Sequence, residues 1–390
     1  MTKAEPFNLY STEIDADPFA GYARLRDDYP CYFSPSAKIW ILSRYDDVAR
    51  AAMDWETYSS ASGNLIDEIP GRSGGTLGTT DPPRHDRLRA LAQAAFARKN
   101  LDHILPVTDR ITAKALDAIK GRDRFDFVSE FSSIVTVGTL FAMLGLPDRD
   151  PAEMRAEVVL SISTDKTARG RNETLNAAFR RLAQFITDEV AIRRASPADD
   201  LITRLAEAEI NGDRLDDREV VLTTSMFVVA GVESLSSFMS IFAKNLADFP
   251  EARGRVANDP DLMAQAVEES LRFNTSAQRF KRTLTKDVKL HGQTMKAGDG
   301  VVLAYGAANR DERKFVNAQT FDLDRKPTGH LGFGGGKHFC IGSTLARMIT
   351  IRAMTILLEQ VPDFTLADQA LDWVPSSNFR SPVSLPLRVG

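Results

Sequence analysis

The sequence predicts a mainly α-helical protein with small, scattered β-sheets (α+β), folded as a single large domain over residues 1–390. Three observations carry that expectation. No internal repeat, low-complexity run or linker divides the chain, although length alone would suggest about two or three domains. Leu235, Phe238, Met239, Phe242, Leu246 and Phe249 keep helical spacing on one face of a segment running from Asp217 to Phe249. At ~1.5 Å per residue that helix is ~50 Å long, while a body of this size has a radius of gyration near ~21 Å. One helix crossing the whole molecule fits one domain better than three. Elsewhere helical patterns dominate, and strand signals are short.

Taken in order, Ala37–Ser43 reads as a strand and Asp46–Met53 as a short helix. Ser59–Thr80 is rich in Gly and Ser and reads as a long loop, a length that points to function or mobility. Pro82 to Ile210 is mostly helical, with breaks at Pro106, Gly121, Pro147, Gly170 and Pro197. Asp216 and Glu219 have capping-box spacing at the start of the long helix, and Pro250 stops it. Asp261–Phe273 is a further helix, two short strands flank His291-Gly292, and Ile341–Gln360 closes the series as a helix.

Composition narrows the function classes. With 43% hydrophobic residues and a formal charge of −4, the chain is not disordered. Mild acidity argues against general nucleic-acid binding. Two cysteines, Cys31 and Cys340, cannot build a disulfide scaffold or a Cys-rich zinc array. The start, Met1 to Pro6, lacks the apolar core of a signal peptide. The densest apolar stretch, Val220–Gly231, is interrupted by Thr223, Thr224 and Ser225 and falls short of a membrane span of ~18 residues. A cytoplasmic protein without membrane insertion is expected, its thiols reduced and Cys31–Cys340 unpaired.

The chemistry concentrates in Phe333-Gly334-Gly335-Gly336-Lys337-His338-Phe339-Cys340-Ile341-Gly342. A phosphate-binding loop fails here, because Leu331 and His338 occupy positions that require Gly and Ser/Thr. A zinc site fails as well, since His338-x-Cys340 has no partner cluster. Two readings remain on the residues alone. One is a Gly-rich loop presenting a thiolate at a helix N-terminus, where the dipole and free N–H groups lower its pKa. The other is a buried structural cysteine after a turn.

The spacing Phe333-x-x-Gly336-x-His338-x-Cys340-x-Gly342 resembles the haem-binding signature of the cytochrome P450 family, soluble bacterial type. The resemblance implies haem b with Cys340 as its axial thiolate and metal ligand, pushing electron density towards O–O cleavage. It implies that Phe333 and Gly334 line the haem, with glycines allowing close backbone approach. Glu269-Ser270-Leu271-Arg272 matches the family's Glu-x-x-Arg motif, with Arg325 placed as third member of a buried structural trio. By itself that spacing would be an ordinary surface pair.

Asp81 to Arg89 resembles the helix that contacts the haem propionates, with His85 and Arg89 four apart on one face. Arg282 and His338 match two further propionate contacts, and Ala308-Asn309-Arg310-Asp311 a recurrent structural stretch. Ala230-Gly231-Val232-Glu233-Ser234 falls mid-helix, where Gly costs about 1 kcal/mol against Ala. Close helix packing is one reason for Gly231. The resemblance implies another, a local widening beside the O2 site with Glu233 and Ser234 as a proton-delivering acid–alcohol pair. Ser234 stands where the family commonly has Thr, which puts coupling of O2 use to product in doubt.

The implied function is a haem-thiolate monooxygenase inserting one atom of O2 into a small apolar organic substrate, by hydroxylation or O-dealkylation. No flavin domain fits, so NAD(P)H electrons are expected through a separate ferredoxin and ferredoxin reductase. Arg87, Lys337 and Arg347 are candidate docking charges for that partner, and the protein is taken as a monomer. A peroxide-driven peroxygenase and a non-turnover haem sensor are the alternatives. The substrate pocket is expected to draw on Ser59–Thr80, Ser161–Glu173, Phe227 to Ala230, Asn274–Gln278 and Ser377–Phe379. Arg279 or Arg380 could meet a substrate carboxylate.

Overall fold

A computed structural model describes residues 5–96 and 104–390. Residues 1–4 and 97–103, which include most of the start read for a signal peptide and part of the helical stretch after Pro82, lie outside the described residues. The fold is organised around the helix Asp217–Asp248, which ends one residue before Phe249. Its capping box forms as the spacing predicts: Asp216 accepts the Glu219 N–H at 2.7 Å, and Glu219 accepts the Asp216 N–H at 3.2 Å. Leu235, Phe238, Met239, Phe242 and Leu246 are buried along it. By length and apolar character this helix could cross a membrane, which the interrupted apolar run did not suggest; most of its surface is instead covered by the rest of the protein.

The helices Ser133–Leu144, Pro151–Ile162 and Glu173–Ala195 pack on one side of the central helix, and Met263–Phe273 and Ser343–Gln360 on another. Gly121, Pro147, Gly170 and Pro197 fall between helices, as expected. Pro106 does not break anything: it lies in the first turn of Ile104–Ile119, where a missing N–H leaves no helical bond unmade. Five strands form a sheet in the order Cys31–Ser34, Ile39–Leu42, Gly300–Leu303, Phe280–Leu284, Tyr58–Ser59. Gly300–Leu303 runs parallel to Ile39–Leu42, and the other pairs are antiparallel. Three short strands, Phe364–Leu366, Pro386–Val389 and Arg124–Asp126, make a second sheet. Val288–Leu290 and Gln293–Met295 flank His291-Gly292 as a hairpin, with His291 at φ 49° and Gly292 at φ 76°. A hairpin of Glu209–Ile210 with Asp213–Arg214 was not foreseen. Gly300–Leu303 sits at the sheet centre beside Arg282 of Phe280–Leu284, which carries that arginine to the site.

Candidate active site

Between the central helix and the Cys340 loop lies a cavity of about 340 Å³. The central helix contributes Phe227, Val229, Ala230, Gly231, Ser234 and Phe238 to one wall, and Phe333, Gly334, His338 and Cys340 form the opposite side. The loop's path depends on two glycines with positive φ, Gly334 at 71° and Gly336 at 63°. A Cβ on Gly336 would stand 2.3 Å from the Ala52 carbonyl oxygen, so only glycine fits there. The loop closes on itself where the Cys340 N–H donates to the Phe333 carbonyl at 3.0 Å.

The helix after the loop begins at Ser343, with Gly342 as its N-cap. The reading of a lowered Cys340 pKa needs correction. Burial raises the thiol above its ordinary value, although the Gly342 N–H, Arg89 and Arg347 act in the opposite direction. Desolvation outweighs these three, and a bound cation would supply the missing charge.

His85 and His338 meet edge to face with ring centroids 4.7 Å apart. His85 Nδ1 pairs with Asp86 at 3.0 Å, while its Nε2 is buried without a hydrogen-bond partner. His338 Nε2 is likewise buried and unpartnered, 3.7 Å from Asp81 and beyond hydrogen-bond reach. Burial holds His338 below the ordinary imidazole value. Burial alone would raise Asp81, but His338 together with the Ser59 hydroxyl (2.5 Å) and the Ser60 N–H (3.0 Å) brings it down to about 2. Arg89 and Arg282 line the same cavity and donate to the Lys337 and Lys281 carbonyls.

Two imidazole nitrogens without a hydrogen-bond partner among the described residues and two guanidinium groups thus line one cavity together with one thiol. That donor set fits a flat group bearing two carboxylates and a thiolate-seeking metal, which is the shape and charge of haem. His85, Arg89, Arg282, His338, Phe333, Gly334 and Cys340 are all brought together, as is Gly231.

The acid–alcohol pair is split. Ser234 lines the cavity, and its carbonyl accepts the Ser276 hydroxyl at 3.0 Å. Glu233 is buried and faces away: Oε1 accepts the Ser237 hydroxyl at 3.0 Å, and Oε2 lies 3.9 Å from the Arg155 guanidinium without a hydrogen bond. Adjacent helical residues point ~100° apart, so the two side chains leave different faces. The helix is α-helical throughout Asp217–Asp248, so no break marks the expected widening. Gly231 has a packing reason, since a Cβ there would stand 2.7 Å from Leu140 Cδ1.

The Glu269–Arg272–Arg325 trio forms in full. Arg272 donates to both Glu269 oxygens at 2.8 and 2.7 Å and to the carbonyls of Asn309, Ala318 and Thr320. Arg325 Nε donates to Glu269 at 3.2 Å. Asn309 in turn accepts the Leu331 N–H at 2.6 Å, which links the trio to the start of the Cys340 loop.

The remaining cavity wall is largely aromatic and aliphatic, drawing on Leu65, Ile69, Ile162, Thr275 and Phe379 from the expected regions. Phe179 of Glu173–Ala195 was not foreseen, and Val228 is buried outside the cavity. Asp67 fastens the long loop over this end, accepting from Tyr10 (3.0 Å), Thr164 (2.8 Å) and Ser377 (2.7 Å). Arg279 and Arg380 do not line the cavity; Arg380 stacks on Trp373 and donates to Asn274. The docking charges are also spoken for: Arg87 pairs with Asp213 and Glu219, Lys337 with Asp86, and Arg347 with Glu268. Sequence reasoning missed Asp81, although it lies in the motif stretch, and Tyr305, whose position no motif signals.

Fold and site together define a protein with a cavity between a long helix and a cysteine loop, whose lining fits a dianionic, thiolate-ligated cofactor. Residues 137–372 match the family pattern described as Cytochrome P450. The chain is 33% identical to nocardicin C N-oxygenase of Nocardia uniformis over 399 aligned residues, covering 99% of this chain and 98% of that one. Its fold is similar to that of cytochrome P450 CYP109Q5 from Chondromyces apiculatus, with a TM-score of 0.88, 27% identity and 98% of both chains covered. CYP109E1 from Bacillus megaterium, solved in complex with testosterone, matches at a TM-score of 0.83 and 27% identity, over 96% of this chain and 99% of that one. The chain belongs to the cytochrome P450 family, and it is a haem-thiolate monooxygenase.

Proposed function

We propose that the protein inserts one atom of O2 into a small apolar organic substrate, by hydroxylation or O-dealkylation. The observation that supports this reading is the largely apolar cavity lined by both Ser234 and Cys340. For a hydroxylation the balance is R–H + O2 + 2 e⁻ + 2 H⁺ → R–OH + H2O. The electrons come from NAD(P)H through a ferredoxin and its reductase, since nothing in the chain reads as a flavin site. Haem iron, when bound, supplies O2 activation.

The chain's own residues do the rest. Cys340 would hold that iron through its thiolate sulfur, and the Phe333 carbonyl fixes its backbone by accepting the Cys340 N–H. His85, His338, Arg89 and Arg282 would hold the two carboxylates of that group, donating N–H groups that water would otherwise accept. Glu269, Arg272 and Arg325 support the loop from behind. Ser234 offers a hydroxyl proton at the cavity wall. Glu233 replenishes it only by turning from Ser237 or by passing protons through ordered water. The aromatic wall excludes bulk water and favours apolar substrates, in keeping with the steroid held by the Bacillus megaterium relative. One domain spanning the chain, a monomer in the cytoplasm, completes the reading.

Glu233 facing away from the cavity favours a second possibility, turnover driven by peroxide, which brings its own protons. Incubating the purified protein with an apolar panel, ferredoxin, reductase and isotopically labelled O2 tests the first reading. One labelled oxygen in the product supports it. Product formed only with added peroxide replaces it with the second.

A further inference from the structure

Glu268 neighbours Glu269 on the helix Met263–Phe273 but serves different partners. Its carboxylate accepts two hydrogen bonds from the Arg347 guanidinium, Nε at 2.5 Å and Nη2 at 2.9 Å. A third comes from His330 Nε2 at 3.0 Å. The other ring nitrogen of His330 accepts the Gly332 N–H at 3.1 Å, so the neutral ring carries its proton on Nε2. Burial would raise Glu268, but Arg347 and His330 outweigh it and hold the carboxyl at about 2.

These three residues grip the Cys340 loop at both ends. His330 precedes Gly332 and Phe333, and Arg347 lies in the second turn of the helix Ser343–Gln360 that follows Cys340. The Arg347 guanidinium lies 4.4 Å from the centroid of the Phe333 ring. Phe333 is the residue whose carbonyl receives the Cys340 N–H. Close packing leaves little slack, since a Cβ on Gly332 would come within 2.8 Å of the Leu271 carbonyl oxygen. One carboxylate therefore ties the incoming segment and the outgoing helix of the loop to a third element.

We propose that Glu268, His330 and Arg347 are positioning residues on the thiolate side, and that the Glu268–Arg347 pair sets the reduction potential of a haem bound at Cys340 without touching the thiolate. The argument is electrostatic. Arg347 stacks on Phe333 in the loop that carries the sulfur, and a positive charge so near favours negative charge on that sulfur. The bidentate Glu268 carboxylate cancels much of that field, so the sulfur faces a nearly neutral pair. An uncompensated cation there would stabilise the reduced state, which carries one more electron, and an uncompensated carboxylate would disfavour it.

This proposal rests on Cys340 as the axial ligand, so the red-shifted Soret band of the reduced CO-bound protein is recorded first for every variant. Its absence from the unaltered protein would mark failure of the ligand reading instead. Potentiometric titration of the haem-loaded Glu268→Gln, Arg347→Gln and double variants then follows. The midpoint should move positive in Glu268→Gln, negative in Arg347→Gln, and return towards the original value in the double variant. A merely structural role would speed haem release without giving opposite signs. If Glu268→Gln does not load haem, Arg347→Lys against Arg347→Gln decides. Lys should keep the original midpoint while haem leaves faster, and Gln should lower it. Shifts of the same sign, or none, overturn the proposal.

Discussion

The Nε2 atoms of His85 and His338, on rings 4.7 Å apart, are both buried and have no acceptor within hydrogen-bond distance among the described residues. A buried donor left unpaired costs about 1–3 kcal/mol, so two together imply acceptors supplied from outside the chain. Carboxylates of the bound cofactor meet that need. Replacing His338 by Phe should therefore weaken retention by about the same energy, a roughly 5- to 150-fold faster transfer of haem to apomyoglobin. Transfer at the original rate would remove His338 from the set.

Ser234 reaches the cavity and Glu233 does not. Ser234→Ala should thus raise peroxide released per NADH, on the order of tenfold if the hydroxyl is the proton donor. Glu233→Gln should do less, because that side chain acts only after reorienting. Unchanged coupling in Ser234→Ala would discard the relay.

Glu269 and Arg272 are fully buried, and every N–H of Arg272 has an acceptor. Glu269→Ala leaves a buried guanidinium uncompensated, a loss of about 3–5 kcal/mol. The expected outcome is protein without stable haem, read as a missing Soret band after purification. A fully loaded variant would contradict the supporting role.

The Glu268 carboxyl, depressed from 4.5 to about 2 in the fold, gives the protein an acid-sensitive component. A depressed carboxylate pKa adds stability above the unfolded value that is lost as pH falls towards the folded one. The contribution should be complete above pH ~5.5 and diminish from there towards 2. Glu268 is 30% exposed, so solvent screening reduces the effect to roughly 1–2 kcal/mol. Denaturant midpoints of Glu268→Gln and the unaltered protein should converge as pH drops from 6 to 4. A constant gap across that range would contradict it.

Much of this site was legible in the chain because its members are local. The Asp216–Glu219 cap, the glycines before Cys340 and the Glu269–Arg272 spacing are each contained within a few residues. What escaped depends on distant segments meeting. Arg155 approaches Glu233 from another helix, and nothing at either position announces the other. Arg87, Lys337 and Arg347 look like free cations until folding brings Asp213, Asp86 and Glu268 to them. The direction of the Cys340 shift was misjudged for a related reason: the helix dipole is visible in the sequence, whereas desolvation is a property of the packed cavity.

The central claim is that Cys340 is the axial ligand of haem iron held in this cavity. The most direct test is the absorption spectrum of the reduced, CO-bound protein beside that of Cys340→His. The unaltered protein should show the strongly red-shifted Soret band of a thiolate-ligated haem, and Cys340→His should lack it. Survival of that band in the variant would contradict the account.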